Sequence, residues 1–133
     1  MSQLPIPAVQ IDTRSGRYTL IAPFEFRDTG ITGHSLTHAN YSVTPNGDCF
    51  FYAGFRYDGP TGGIPTPAML TASLFHDLIC SLTKRKLLPW ECRIIADREF
   101  RRILKRYSQS RFESAWAWVR WAGVRFNSIR TRL

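Results

Sequence analysis

The sequence predicts an α+β fold, with a small N-terminal β-hairpin and extended region followed by three packed α-helices. Three observations carry that reading. Pro45-Asn46-Gly47 separates two short strand-like runs, Asn40–Thr44 and the aromatic-rich Cys49–Tyr57. Asn-Gly tolerates the positive φ that a tight hairpin turn requires. Thr66-Pro67 then opens a stretch whose apolar residues recur at helical spacing; Thr can cap the helix, and Pro fits its first position, where the missing N–H costs nothing. Two more helical stretches follow, one from Pro89 and one from the capping box Ser110 to Glu113.

The 133 residues are expected to form a single domain, 1–133, large enough for one core. Residues 1–39 read as an extended arm and a strand. Pro5 and Pro7 lack the N–H a central strand needs, whereas Arg17 to Phe26 is rich in Tyr, Thr, Ile and Phe. His34 and His38 lie four apart, a spacing that suits a metal on a helix. The Gly, Ser and Thr around them predict a surface loop instead. Residues 40–57 form the hairpin and 58–66 a Gly/Pro loop. Residues 67–126 form the three-helix part. Its first helix runs to about Thr83 with a stripe of Met69, Leu70, Leu74, Phe75, Leu78, Ile79 and Leu82, closed by Lys84, Arg85 and Lys86, where cations suit the negative helix end. The second runs from Pro89 to about Tyr107 with Ile94, Ile95, Phe100, Ile103 and Leu104 inward and an Arg-dense polar face. The third runs to about Val124 and carries Trp116 and Trp121. Residues 127–133 are a basic tail.

Composition narrows the function classes. A hydrophobic share of 44% with 14% aromatic residues belongs to a packed protein rather than a disordered one. No run approaches the roughly 18 apolar residues of a membrane span. Met1 to Pro5 offers no basic patch followed by an apolar core, so no secretory signal is expected. Cys49, Cys80 and Cys92 are an odd number without zinc-site spacing, which argues against a disulfide framework and for a reducing compartment or a particle assembled in one. Charge is uneven. Residues 1–83 hold four Arg against six carboxylates, whereas residues 84–133 hold 14 Lys and Arg against four. The C-terminal helices are therefore expected to meet an acidic partner such as anionic lipid or nucleic acid, or to be a solvated basic face.

One set of residues reads as a constellation. His76 and Asp97 lie 21 apart on consecutive helices; a short connection makes such helices antiparallel, so the two side chains can face each other. A carboxylate fixes an imidazole's tautomer and raises its basicity, as a general base acting on water requires. Asp77 points about 100° further round the helix, toward the loop Asp58-Gly59-Pro60-Thr61-Gly62-Gly63. A carboxylate beside glycine-loop carbonyls is the oxygen-rich environment calcium takes. The competing reading is a buried hydrogen-bonded network that fixes helix packing; Arg101 at i+4 also offers Asp97 a plain helix ion pair.

The order of glycine-rich loop, His76-Asp77 and Ala96-Asp97 resembles the phospholipase A2 family, especially its compact viral-capsid form. The resemblance implies a phospholipase A2-like helical hairpin core, with His76 as the base that activates water and Asp97 as its orienter. It implies that Asp77, Asp58, Gly59 and Gly62 hold Ca²⁺, which polarises the ester carbonyl. A second resemblance covers about residues 40 to 126. Gly54-Phe55-Arg56-Tyr57-Asp58-Gly59, Ile64-Pro65, Leu74-Phe75-His76-Asp77, Ala96-Asp97-Arg98-Glu99-Phe100 and Val119-Arg120-Trp121-Ala122-Gly123 resemble a family of short tailed-bacteriophage and prophage proteins of undefined function. It implies a virion or tail-associated structural or host-entry component, made in the host cytoplasm and assembled with other virion proteins. The alternatives are a Ca²⁺-dependent lipid esterase and, third, a basic nucleic-acid-binding module. Both families usually place Tyr four residues after the His; here Cys80 stands there.

Overall fold

The computed structural model describes residues 5–12, 14–59 and 66–107. They form seven short strands and two helices. The strands are β1 (Val9–Ile11), β2 (Tyr18–Leu20), β3 (Phe24–Phe26), β4 (Leu36–Thr37), β5 (Tyr41–Val43), β6 (Cys49–Phe51) and β7 (Arg56–Tyr57); the helices are α1 (Pro67–Lys84) and α2 (Cys92–Tyr107). The strands build two antiparallel sheets, ordered β1-β2-β7 and β3-β6-β5-β4.

The α+β class stands, but its expected layout is corrected. In place of an arm, one strand and one hairpin there are two sheets. In place of three packed helices there are two among the described residues; the third helix expected from Ser110 and the tail 127–133 lie outside them. The physical reason is visible in the two long strands expected at 17–26 and 49–57. Each breaks in the middle and serves both sheets. The first breaks at Ile21–Pro23 into β2 and β3, where Pro23 has no N–H to donate. The second breaks at Tyr52–Phe55 into β6 and β7, where Gly54 takes φ +100°. The halves remain partners, β2 with β7 and β3 with β6. Leu20 N–H donates to Phe55 O at 2.8 Å and Gly54 N–H to Leu20 O at 2.7 Å, carrying the ribbon across the bend. The hairpin at Asn46-Gly47 does form, with Val43 opposite Cys49 and Gly47 at φ +92°.

α1 begins where its sequence marks it. The Thr66 hydroxyl accepts from Met69 N–H at 3.2 Å, with Pro67 in the first turn. Leu74, Phe75, Leu78, Ile79 and Leu82 join the core formed with Leu20, Val43 and Phe51 of the strands. Met69 and Ala72 pack with Phe100, Ile103 and Leu104 of α2. α1 is thus covered from two sides. Its buried hydroxyls bond back one turn, Thr71 to Pro67 O at 2.7 Å and Ser73 to Met69 O at 2.5 Å. α2 starts three residues later than Pro89, after a turn in which Cys92 N–H donates to Pro89 O at 3.0 Å. Buried Arg93 anchors this end: Nε donates to Thr83 Oγ1 at 2.9 Å, and its guanidinium lies 4.3 Å over the Trp90 ring. The pairings Thr83 with Arg93 and His76 with Asp97 run in opposite directions along the two helices, so α1 and α2 are antiparallel.

The end of β7 is stitched to α1 by the Tyr57 hydroxyl, which donates to Leu70 O at 3.3 Å. Gly59 follows at φ +74°, and a Cβ there would overlap the Tyr18 ring. Gly59→Ala is therefore expected to destabilise the protein by about 2 kcal/mol or more in chemical denaturation. A change within about 0.5 kcal/mol would refute the close approach of this loop to β2.

Candidate functional site

α1 supplies three of the candidate side chains. His76 and Cys80 lie one turn apart on one face, and Asp77 lies round the helix on another. α2 supplies Asp97, and the loop after β7 supplies Asp58 and Gly59.

His76 and Asp97 are brought together. His76 Nε2 lies 2.7 Å from Asp97 Oδ1, with side-chain exposures of 11% and 1%. Phe100, one turn after Asp97, meets the His76 ring edge-on at 5.4 Å between centroids. Burial by itself lowers the pKa of His76. The hydrogen bonds and the attraction from Asp97 and Cys80 outweigh it and raise the value to about 9. At neutral pH the pair is an imidazolium against a carboxylate. In that form His76 has no lone pair with which to take a proton from water.

Asp77 faces the loop as expected, but it meets donors there. Its Oδ2 accepts from Asp58 N–H at 3.1 Å and Gly59 N–H at 3.3 Å. Burial raises its pKa to about 6; the charge on His76 and the two amides pull the other way, and Asp58 adds to the rise. The Asp58 carboxylate is exposed and pairs with Arg17 at 3.0 Å. A calcium site needs oxygens converging on one point. Here the described part of the loop aims N–H groups at Asp77 and turns Asp58 toward a guanidinium, so these residues do not fit the ion. No three His, Cys, Asp or Glu of the described residues gather as metal ligands; Gly62 lies outside those residues.

A cavity of about 320 Å³ opens on the Asp77 side of α1, lined by Arg17, His38, Tyr57, Asp58, Asp77 and Arg85 among others. His76 and Asp97 do not line it. Arg85 closes α1 itself, whereas Arg17 comes from the segment before β2, and no spacing in the sequence signals that it reaches this cavity. His38 stays in the loop expected of it, stacked on Tyr41 at 4.9 Å. Cys80, which the sequence reading noted only as standing where the resembling families have Tyr, has its Sγ 3.5 Å from His76 Nδ1. The i+4 spacing from His76 was the available signal.

No protein-family model, curated protein or solved structure matches the chain.

The raised pKa values give two pH windows with the same sign. A folded-state pKa above the unfolded one means the folded protein holds the proton more tightly, so stability falls as pH rises between the two. For Asp77 that window runs from 3.8 to about 6, and for His76 from 6.5 to about 9. Wild type is expected to lose on the order of 3 kcal/mol across the His76 window in buffered denaturation series, whereas His76→Gln should be flat there. Asp77→Asn should abolish the decline at acid pH and be no less stable than wild type at neutral pH. A wild-type profile without loss toward pH 9 would refute the imidazolium–carboxylate pair.

Proposed function

We propose that this chain is a bacteriophage protein, a virion- or tail-associated structural or host-entry component that carries a degenerate phospholipase A2-like site. The observation that carries the word degenerate is the pair of amides, from Asp58 and Gly59, donating to the Asp77 carboxylate. In a phospholipase A2-like centre that carboxylate would share a cation with loop carbonyls. The protonated state of His76 and the replacement of Tyr by Cys80 weigh the same way.

The phage reading is supported by where the resembling segments fall. Tyr57 holds α1 through Leu70 O, Asp58 and Gly59 hold Asp77, and His76 holds Asp97. Motif residues scattered between 54 and 97 thus converge on one helix, as parts of one scaffold would. α2 turns Arg98, Arg102, Lys105 and Arg106 outward, a basic face suited to an acidic partner in an assembly. No helix of the described residues is long and apolar enough to cross a membrane, so this reading has the chain act from the particle rather than as a spanning protein.

The second reading, a Ca²⁺-dependent lipid esterase, is favoured by the 2.7 Å contact of His76 with Asp97. Phospholipid vesicles separate the two. No calcium-dependent fatty-acid release is expected. Release that needs both calcium and His76 would overturn the degenerate-site reading. Mass spectrometry of purified particles from an induced lysogen is expected to find the chain; its absence from particles and from tail assemblies would sink the virion assignment.

A further inference from the structure

The half-buried thiol of Cys80 belongs to a connected row of three groups. Its Sγ lies 3.5 Å from His76 Nδ1, nearer than the 3.8 Å to Nε2. The opposite ring nitrogen, Nε2, lies 2.7 Å from Asp97 Oδ1. The sulfur thus lies beside the ring within reach of Nδ1, only slightly nearer to it than to Nε2, and the buried carboxylate holds Nε2. The ring is held edge-on by Phe100, and Asp97 is fixed on a different helix from the other two. This is how a nucleophile, a proton carrier and an orienting acid are arranged when a side chain is to attack carbon: the carrier touches the nucleophile and the acid holds the carrier.

The other two cysteines lack such a row. Cys49 is wholly buried beside the Thr29 hydroxyl at 4.0 Å, and burial pushes its thiol up to about 12. Cys92 is buried at the start of α2, and burial raises its thiol as well. Only Cys80 of the three combines partial exposure with an imidazole in contact.

We propose that Cys80 is the nucleophile of a Cys80–His76–Asp97 thiol centre that accepts an activated acyl group from an ester or thioester. The proton shared between Sγ and Nδ1 sits on the imidazole when the sulfur attacks the carbonyl carbon. The S–C bond forms and the bond to the leaving oxygen or sulfur breaks; the leaving group takes the proton from Nδ1. Water then cleaves the S–C bond of the acyl-enzyme, giving one proton to His76, which returns it to sulfur. Asp97 keeps Nε2–H in place throughout. The proposal rests on these three side chains and not on the phage assignment, so either can fail without the other.

Two probes test it on the full chain at neutral pH. With iodoacetamide, native Cys80 is expected to alkylate about tenfold or more faster than free glutathione, while Cys49 and Cys92 stay unlabelled. With p-nitrophenyl acetate, a burst of one p-nitrophenolate per chain is expected, with the acetyl group on Cys80 by peptide mass spectrometry and no burst in Cys80→Ser. Asp97→Asn should slow both reactions about tenfold or more, because the ring loses its orienting charge while the thiol remains. Native Cys80 reacting no faster than glutathione would overturn the proposal, and so would an Asp97→Asn rate equal to wild type. If Asp97→Asn does not fold, the comparison of native Cys80 with glutathione decides alone, since a pair that only holds the helices together gives the thiol no advantage.

Discussion

The constraint on which the rest depends is that α1 is covered from two sides. Leu74, Phe75, Leu78, Ile79 and Leu82 go into the core with the strands, while Met69 and Ala72 go against α2. A helix covered in this way has little water for its polar side chains, and a polar group buried without a partner costs several kcal/mol. The buried polar residues along α1 therefore find partners inside the protein. Thr71 and Ser73 use the helix's own carbonyls, and Thr83 receives Arg93. His76 takes Asp97, and Asp77 takes the amides of Asp58 and Gly59. Those contacts set the position of α2 and of the loop after β7. Packing and site geometry come from the same interactions.

One step along α1 divides the site into two environments. His76 and Cys80 turn toward α2, where the nearest groups are a carboxylate and a phenyl edge. Asp77 turns toward the loop and the open cavity with its arginines. Consecutive helix positions differ by about 100°, so one dipeptide can serve both sides of the helix without either side sharing a ligand. In a phospholipase A2-like centre the two sides would act on one ester through a common cation. Here two amides donate to the Asp77 carboxylate, and the imidazole contacts Asp97 and Cys80.

The strands show a similar economy. Each long strand-like run contributes half of its length to one sheet and half to the other, bending at Pro23 and at Gly54. The bend lets Tyr57 and the loop behind it reach α1 while Phe51 stays in the core beneath. A proline without a donor and a glycine at positive φ are the residues that permit such a turn. They fall at the same bend of the ribbon, between the pairing of β2 with β7 and that of β3 with β6.

What the sequence determined by itself are the features whose causes are local. The Thr66-Pro67 start of α1, its apolar stripe, the Asn46-Gly47 hairpin and the spacing that lets His76 meet Asp97 all depend on residues a few positions apart or on two helices joined by a short turn. Tertiary structure alone decided the division of the strands between two sheets, since pieces of two or three residues are too short to show alternation. It also decided the polarity of the loop at Asp77. Whether a backbone presents carbonyls or amides to a carboxylate depends on its local φ and ψ in the packed state, and Gly59 lies against Tyr18 at positive φ. Residue types cannot encode that choice, because every non-proline residue carries both a donor and an acceptor.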